Sequence, residues 1–372
     1  MTSFKLVPSV LALALSSLMF AAASAHADAV ADAKAVVEKA SAPRPPWGGP
    51  TTGPRAVKGK TIIYVSTDQR SGGALGVGLA VKEAAEKIGW TFRVLDGQST
   101  VSGRSNALNQ AIASKPDVIV LGSVDATEQA AAIELAARQG IKIVGWHTHG
   151  APGPHPKLPI FTNITTDPVD VAKAAASYVV ADSGGKAGVV IFTDSVYEIA
   201  IAKSNAMAAV IKACPDCKLL DVIDTPLSDA ATRMPSLTTA LLQRFGKRWT
   251  HAMSINDMTF DFMAPALASA GIAGGGEPRN VSAGDGSEVA FQRIRQNEYQ
   301  VATVAEPLRL QGWQLVDEAN RALAGEKPSG YVAPPHLFIN TNIKYDGGPK
   351  NTYDPENDYQ KAYLAIWNGA AH

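Results

Sequence analysis

Cysteine is nearly absent: the 372 residues contain two, Cys214 and Cys217. That scarcity excludes a disulfide-built scaffold, and with two residues between them the pair lacks the further ligands of a structural zinc site. Charge of one sign is missing as well, with 34 Lys plus Arg against 34 Asp plus Glu, so neither nucleic acid nor an anionic membrane is an expected partner. After residue 23 no apolar run approaches the roughly 18 residues needed to span a membrane. Two nucleotide signatures are also wanting. "SGGALGVG" (71–78) has glycines but no following Lys-Ser/Thr, and it fits the dinucleotide spacing poorly although Asp96 closes the second strand. No cofactor is therefore expected. A G-x-S-x-G nucleophile elbow is absent too.

What is present begins with a leader. Residues 1–27 carry one cation, Lys5, an apolar stretch from Leu6 to Ala23 and a small-x-small end at Ala25-His26-Ala27, which reads as a secretory signal peptide. The mature chain then starts at Asp28, outside the cytoplasm, and without a lipobox cysteine the periplasm is the expected location. In that oxidising setting Cys214 and Cys217 are expected to close a small disulfide between a helix and the next strand. A redox role would place the first cysteine at a helix N-terminus, whereas this pair follows a helix.

Residues 28–58 read as a helical stretch followed by a Pro- and Gly-rich extended linker lying outside any core. From Lys60 short apolar strands alternate with helices of ten to eighteen residues, first through "TIIYVS", "FRVLD", "DVIVLG" and "IKIVGW". A loop rich in proline follows, and the pattern restarts at "PIFTN" and runs through "GVVIFT", "KLLDVID", "THAMSI", "NVSAGD" and "QVATVA". Continuously apolar strands joined by helices predict parallel sheets covered on both faces, and two sets predict an α/β protein of two doubly wound lobes. The expected division is 59–162 plus 307–333 for the first lobe and 163–306 plus 334–345 for the second. The tail, 346–372, is expected to add a surface helix.

Ligands of such sheets sit beyond the carboxyl ends of the strands. Those ends carry Asp68 and Arg70, Ser123 and Asp125, then Trp146, His147 and His149, and in the second set Tyr197, Glu198, Asn256, Asp285 and Glu306. Each has a plainer reading. Asn256 and Asp285 could cap the following helices, Asp68 and Arg70 could pair with each other, Trp146 could be core, and Glu198 could serve the helix dipole. His147, His149 and His155 invite a metal reading, but the turn at 150–154 is flexible, and no metal is expected. Glu198 and Glu306 are the carboxylates a glycosidase would use, and this enzyme reading ranks below simple binding.

The segments "KPDVIVLGSVDATEQAAAIELAARQGIKIV", "SINDMTFDFMAPALASAGI" and "VSAGDGSEVAFQRIRQNEYQVATVAEPLRLQGWQLVDEANRALAGEKP" resemble the periplasmic solute-binding proteins of ABC importers, in the ribose-binding-like sugar cluster. The resemblance spans about Lys60 to Asn342. It implies a monomer with the type I fold, two lobes on a three-segment hinge closing over one small solute, and a membrane permease as partner. It also implies ligand contacts at Asn256, Asp285 and Glu306, the last commonly a glutamine, and at Lys203, usually an arginine. His147 stands where an aspartate is usual. The aromatic pair that stacks on sugar rings is replaced by Gly73 and Ala74, leaving Trp146 or Tyr197 as the platform. A sugar, polyol or sugar acid is the expected ligand. A sensor that reports its ligand to a membrane receptor would share these features.

Overall fold

In a computed structural model the structure describes residues 26–370. The leader therefore lies outside the described residues except for His26 and Ala27, which open helix α1 (26–40).

Five strands form the first sheet: β1 (Thr61–Ser66), β2 (Thr91–Asp96), β3 (Val118–Gly122), β4 (Lys142–Trp146) and β5 (Asn163–Ile164). Their order is β2-β1-β3-β4-β5 and every pair is parallel. Strand periodicity sorts β1 to two faces. Ile62 and Tyr64 pack in one core with α2 (Gly72–Lys87) and α10 (Leu308–Ala324). Ile63 and Val65 pack in another with α3 (Val101–Ala113) and α4 (Ala130–Arg138). Each of these four side chains is fully buried, which stabilises the lobe by about 1.5–3 kcal/mol apiece for the aliphatic ones.

The second sheet has six strands in the order β11-β10-β9-β8-β6-β7. These are β6 (Gly188–Thr193), β7 (Lys218–Asp224), β8 (His251–Ser254), β9 (Arg279–Ser282), β10 (Ala302–Ala305) and β11 (His336–Ile339), the last antiparallel to β10. Helices α5 (Pro168–Asp182) and α6 (Glu198–Ala213) cover one face. The other face is covered by α7 (Ala230–Phe245) and α8 (Met258–Ser269), and α9 (Glu288–Gln296) packs near β10 and β11. The two doubly wound α/β lobes expected from the sequence are thus present. Cys214 and Cys217 are disulfide-bonded in the turn between α6 and β7.

Several local expectations differ from the structure. The restart of the pattern at "PIFTN" places it in the second set, yet β5 pairs with β4 and completes the first sheet, because its two residues lie alongside Gly145 and Trp146. β2 and β7 are edge strands, so their residues are largely exposed or half-buried instead of covered on both faces. The tail forms the expected helix on the surface, docked by one buried face. In α11 (Tyr359–Asn368), Tyr363 and Ile366 are fully buried, and Trp367 stacks on Trp313 at 5.4 Å while donating to Asp317 at 2.9 Å.

The lead-in is not outside the core. Ala33 of α1 is buried in the second lobe with Val30, Val37 and Ala40 against it. The linker then fastens to the first lobe. Trp47 meets the rings of Tyr331 and Tyr363 at 5.2 and 5.4 Å, Ala56 N donates to Trp367 O at 3.0 Å, and Val57 N donates to Asn320 Oδ1 at 2.9 Å. Three segments cross between lobes inside the repeats, at 165–167, 306–307 and 325–335. The linker after α1 and the tail before α11 add two more.

The crossing at 325–335 is clasped by a buried acid. Glu318 accepts from Ser329 N at 3.1 Å and from the Ser329 hydroxyl. Burial raises its pKa to about 7, against the lowering effect of Ser329. The folded protein therefore holds a proton that the unfolded chain releases, so this group's stabilisation is complete below about pH 4.5 and declines as pH rises to about 7. Glu318→Gln should flatten the loss of stability between pH 5 and 8 by about 3 kcal/mol relative to the parent in denaturant titrations. An unchanged pH slope would show that Glu318 does not titrate there. Trp47→Ala should cost about 2 kcal/mol in the same assay, since a half-buried aromatic contact is lost.

Candidate functional site

The carboxyl ends of the two sheets face each other across a cavity of about 50 Å³. It is lined from the first lobe by Thr67, Ser71, Ser123 and His147, and from the second by Tyr197, Lys203, Asn256 and Asp285 together with the small apolar patch Ile199, Ala200, Leu227 and Ile255. Ser123 and His147, at the ends of the adjacent strands β3 and β4, both hold φ at 55°. This left-handed conformation is costly for residues with a Cβ and concentrates where a side chain must be aimed.

Glu306 is the floor of the cleft. It is wholly buried on the second crossing segment and collects groups from both lobes. His147 Nε2 lies 3.0 Å away and Gln311 Nε2 donates at 2.9 Å from the first lobe, Thr166 N donates at 3.1 Å from a crossing segment, and Lys203 Nζ lies at 3.5 Å from the second lobe. Burial alone would raise its pKa. The charges of His147 and Lys203, with the hydrogen bonds from His147 and Gln311, outweigh burial and hold the carboxylate well below its usual range.

Asp285 differs. Burial dominates and raises its pKa, with Lys203 and His147 opposing. Its nearest cation, Lys203 Nζ, is 3.8 Å off, beyond hydrogen-bond reach. The loop that carries it is fixed from behind by Asp257, whose Oδ2 accepts from Gly286 N and Ser287 N at 2.9 Å and whose Oδ1 accepts from Gln300 at 2.7 Å. Neither Asn256 nor Asp285 caps a helix. Asp257 precedes α8, and Ser287 caps α9 by accepting from Ala290 N. Asn256 Oδ1 is buried with no partner.

The lobes touch across the cleft. Tyr197 Oη lies 3.1 Å from Thr67 Oγ1 and accepts from Arg104 Nη1 at 3.1 Å, while Arg104 is otherwise held by Glu128. Asp125 Oδ2 accepts from Glu198 N at 3.1 Å, and Thr127 donates to the Glu198 carboxylate at 2.9 Å. The N-terminus of α2 abuts Asp285. A Cβ on Gly73 would stand 2.4 Å from Asp285 Oδ2 and 2.9 Å from Asp285 Cβ, so glycine is required for this approach.

Of the nine residues selected from the sequence, His147, Tyr197, Lys203, Asn256 and Asp285 line the cleft, and Glu306 lies directly beneath His147 and Lys203. Three are placed elsewhere. Asp68 is buried and spent on Arg70, which reaches it at 2.7 Å, and on Ser99. Arg70 is mostly exposed. Trp146 is fully buried behind His147, with its Nε1 donating to Gln311 at 2.9 Å. Thr67, Ser71 and the apolar patch were not selected, because small residues carry no local motif. Arg104 carries no local signal because it acts through a partner distant in sequence, and Asp257, which the sequence places at a strand end beside Asn256, serves to hold the 285–287 loop.

The three histidines do not converge. His149 contacts His155 edge-on at 4.9 Å, and His155 Nδ1 accepts from Lys157 N and Leu158 N. The ligand atoms of His147, Asp285 and Glu306 do lie within 4.8 Å of one another, but Lys203 sets an ammonium between the two carboxylates, where a divalent ion would be repelled.

Residues 62–327 match the family model of the periplasmic binding protein domain. No curated protein matches the chain. Among solved structures, a galactofuranose-binding protein is similar at 19% identity and TM-score 0.67, covering 78% of this chain and 97% of its own. A sugar ABC transporter protein from Yersinia enterocolitica aligns at 16% identity and TM-score 0.69, covering 87% and 100%. An ABC transporter solute-binding protein from Agrobacterium vitis with bound allitol aligns at 21% and 0.65, covering 77% and 98%. A matched segment this long, on two parallel-sheet lobes meeting at their carboxyl ends, makes the chain a member of the periplasmic binding protein domain family, with the type I fold.

Proposed function

We propose that the protein binds one small polyhydroxylated solute between its lobes, by hinge closure, and delivers it to the permease of an ABC importer. The observation that carries the reading is the cleft itself: a polar lining drawn from both lobes, with Asn256 Oδ1 unpartnered and Asp285 free of hydrogen-bonded cations. Similar proteins, one named for galactofuranose and others bound to L-arabinofuranose, allitol or α-D-tagatopyranose, support a solute rich in hydroxyls. The leader read in the sequence and the family of the chain support periplasmic residence.

The energetics suffice. Micromolar affinity corresponds to about 8 kcal/mol, and each hydrogen bond to a charged group contributes about 1.5–3 kcal/mol. Three such contacts, from Lys203, Asp285 and His147, contribute about 4.5–9 kcal/mol before ordering, and burial of the solute's C–H surface against Ile199, Leu227 and Ile255 adds to them. Binding without chemistry is favoured over glycoside hydrolysis by the Glu198–Glu306 pair, because Glu198 is engaged by Thr127 outside the cleft lining and Glu306 is tied to four donors. A general acid needs a raised pKa, whereas Glu306 is held low.

Asn256→Ala and Asp285→Ala should each weaken binding of the best ligand by at least about tenfold in calorimetry, with little change in the ligand-free melting temperature. Undiminished affinity in both would remove the site. Gly73→Ala should weaken affinity by about tenfold by obstructing the seat of Asp285, while α2 itself gains helix propensity. Tight binding by that variant would mean the lobes need not meet at this point.

A further inference from the structure

The chemistry of the lining narrows the ligand beyond the general class, and this step rests on the solute-binding reading above. Pyranose recognition by stacking requires an exposed, flat, apolar ring face. Among the cleft-lining residues the rings are His147 and Tyr197. The Tyr197 hydroxyl is engaged by Thr67 and Arg104, and the Arg104 guanidinium lies 5.5 Å from its ring centroid. His147 is a polar imidazole with one face stacked on Trp146 at 3.8 Å and its Nε2 spent on Glu306. Trp146 itself has no exposed surface. At the position facing Asp285, where a ring on α2 would have to stand, Gly73 leaves 2.4 Å for a Cβ, so no platform fits there.

The polar groups give a second, separate restriction. The unmatched atoms are acceptors: Asn256 Oδ1 has no donor, and the Asp285 carboxylate has Lys203 no closer than 3.8 Å. Glu306 already places one carboxylate in the floor with Lys203 at 3.5 Å. A ligand carboxylate would be a third acid beside one ammonium and an imidazole already held by Glu306, in a space where charge is poorly screened. Hydroxyl groups meet the need better, since each donates to Asn256 or Asp285 and accepts from Lys203.

We propose that this cleft selects a neutral polyhydroxylated ligand without a flat apolar face, an acyclic polyol or a furanose, over pyranoses and over sugar acids. The test is calorimetry on the mature chain from Asp28 with four arms: tetritols, pentitols and hexitols; methyl furanosides; methyl pyranosides of the same sugars; and the corresponding aldonates. The tightest ligand is expected in the first or second arm, and which of these wins separates an open chain from a five-membered ring. Its pyranoside and aldonate counterparts are expected to bind at least about tenfold more weakly. A pyranoside or aldonate as the tightest ligand would overturn the inference while leaving the solute-binding reading intact. Flat traces in all four arms would overturn both.

Discussion

A single buried carboxylate organises the molecule. Glu306 sits on a crossing segment, with no exposed surface, and is shared by an imidazole and an amide from one lobe, a backbone N–H of a second crossing segment, and an ammonium from the other lobe. An isolated charge there would be expelled or neutralised. It persists because each half of the protein supplies part of its compensation, so the charge balance of the cleft is complete only when the halves are together. The same arrangement leaves Lys203 oriented but not saturated, and an unsaturated donor at the floor is what a bound hydroxyl can use.

Around that centre, rigidity is graded. Asp257 holds the 285–287 loop through two backbone N–H groups and Gln300, and Arg104 and Thr67 hold the Tyr197 hydroxyl. These residues act through others, so the side chains that face the cavity are aimed before any solute arrives. Preorganisation of this kind lowers the ordering cost of binding. The strained backbone at Ser123 and His147 belongs to the same design, since the packing of β3 and β4 sustains a conformation the residues would not choose.

The sheets were legible in the sequence because their signal is local: β1, β3 and β6 are near-continuous apolar runs, which burial on both faces demands. β5 was misassigned because two residues carry no periodicity, and only pairing with β4 reveals their sheet. The site was legible where rank along a strand end decides exposure, as for Asn256 and Asp285. Asp68 with Arg70, and Trp146, follow the plainer readings the sequence also carries: the two strand-end groups satisfy each other first, and the aromatic is consumed by packing. Trp47, Ala33 and Trp367 were read as peripheral because Pro- and Gly-rich flanks obscure long-range docking. Their partners, Tyr331, the α5 and α6 layer, and Trp313, are distant in sequence.

That docking places the two outermost helices on opposite bodies, α1 against the second lobe and α11 against the first. The linker after α1 and the tail before α11 therefore bind the halves to each other apart from the repeats, so the two bodies share five lengths of chain where the repeats alone would give three.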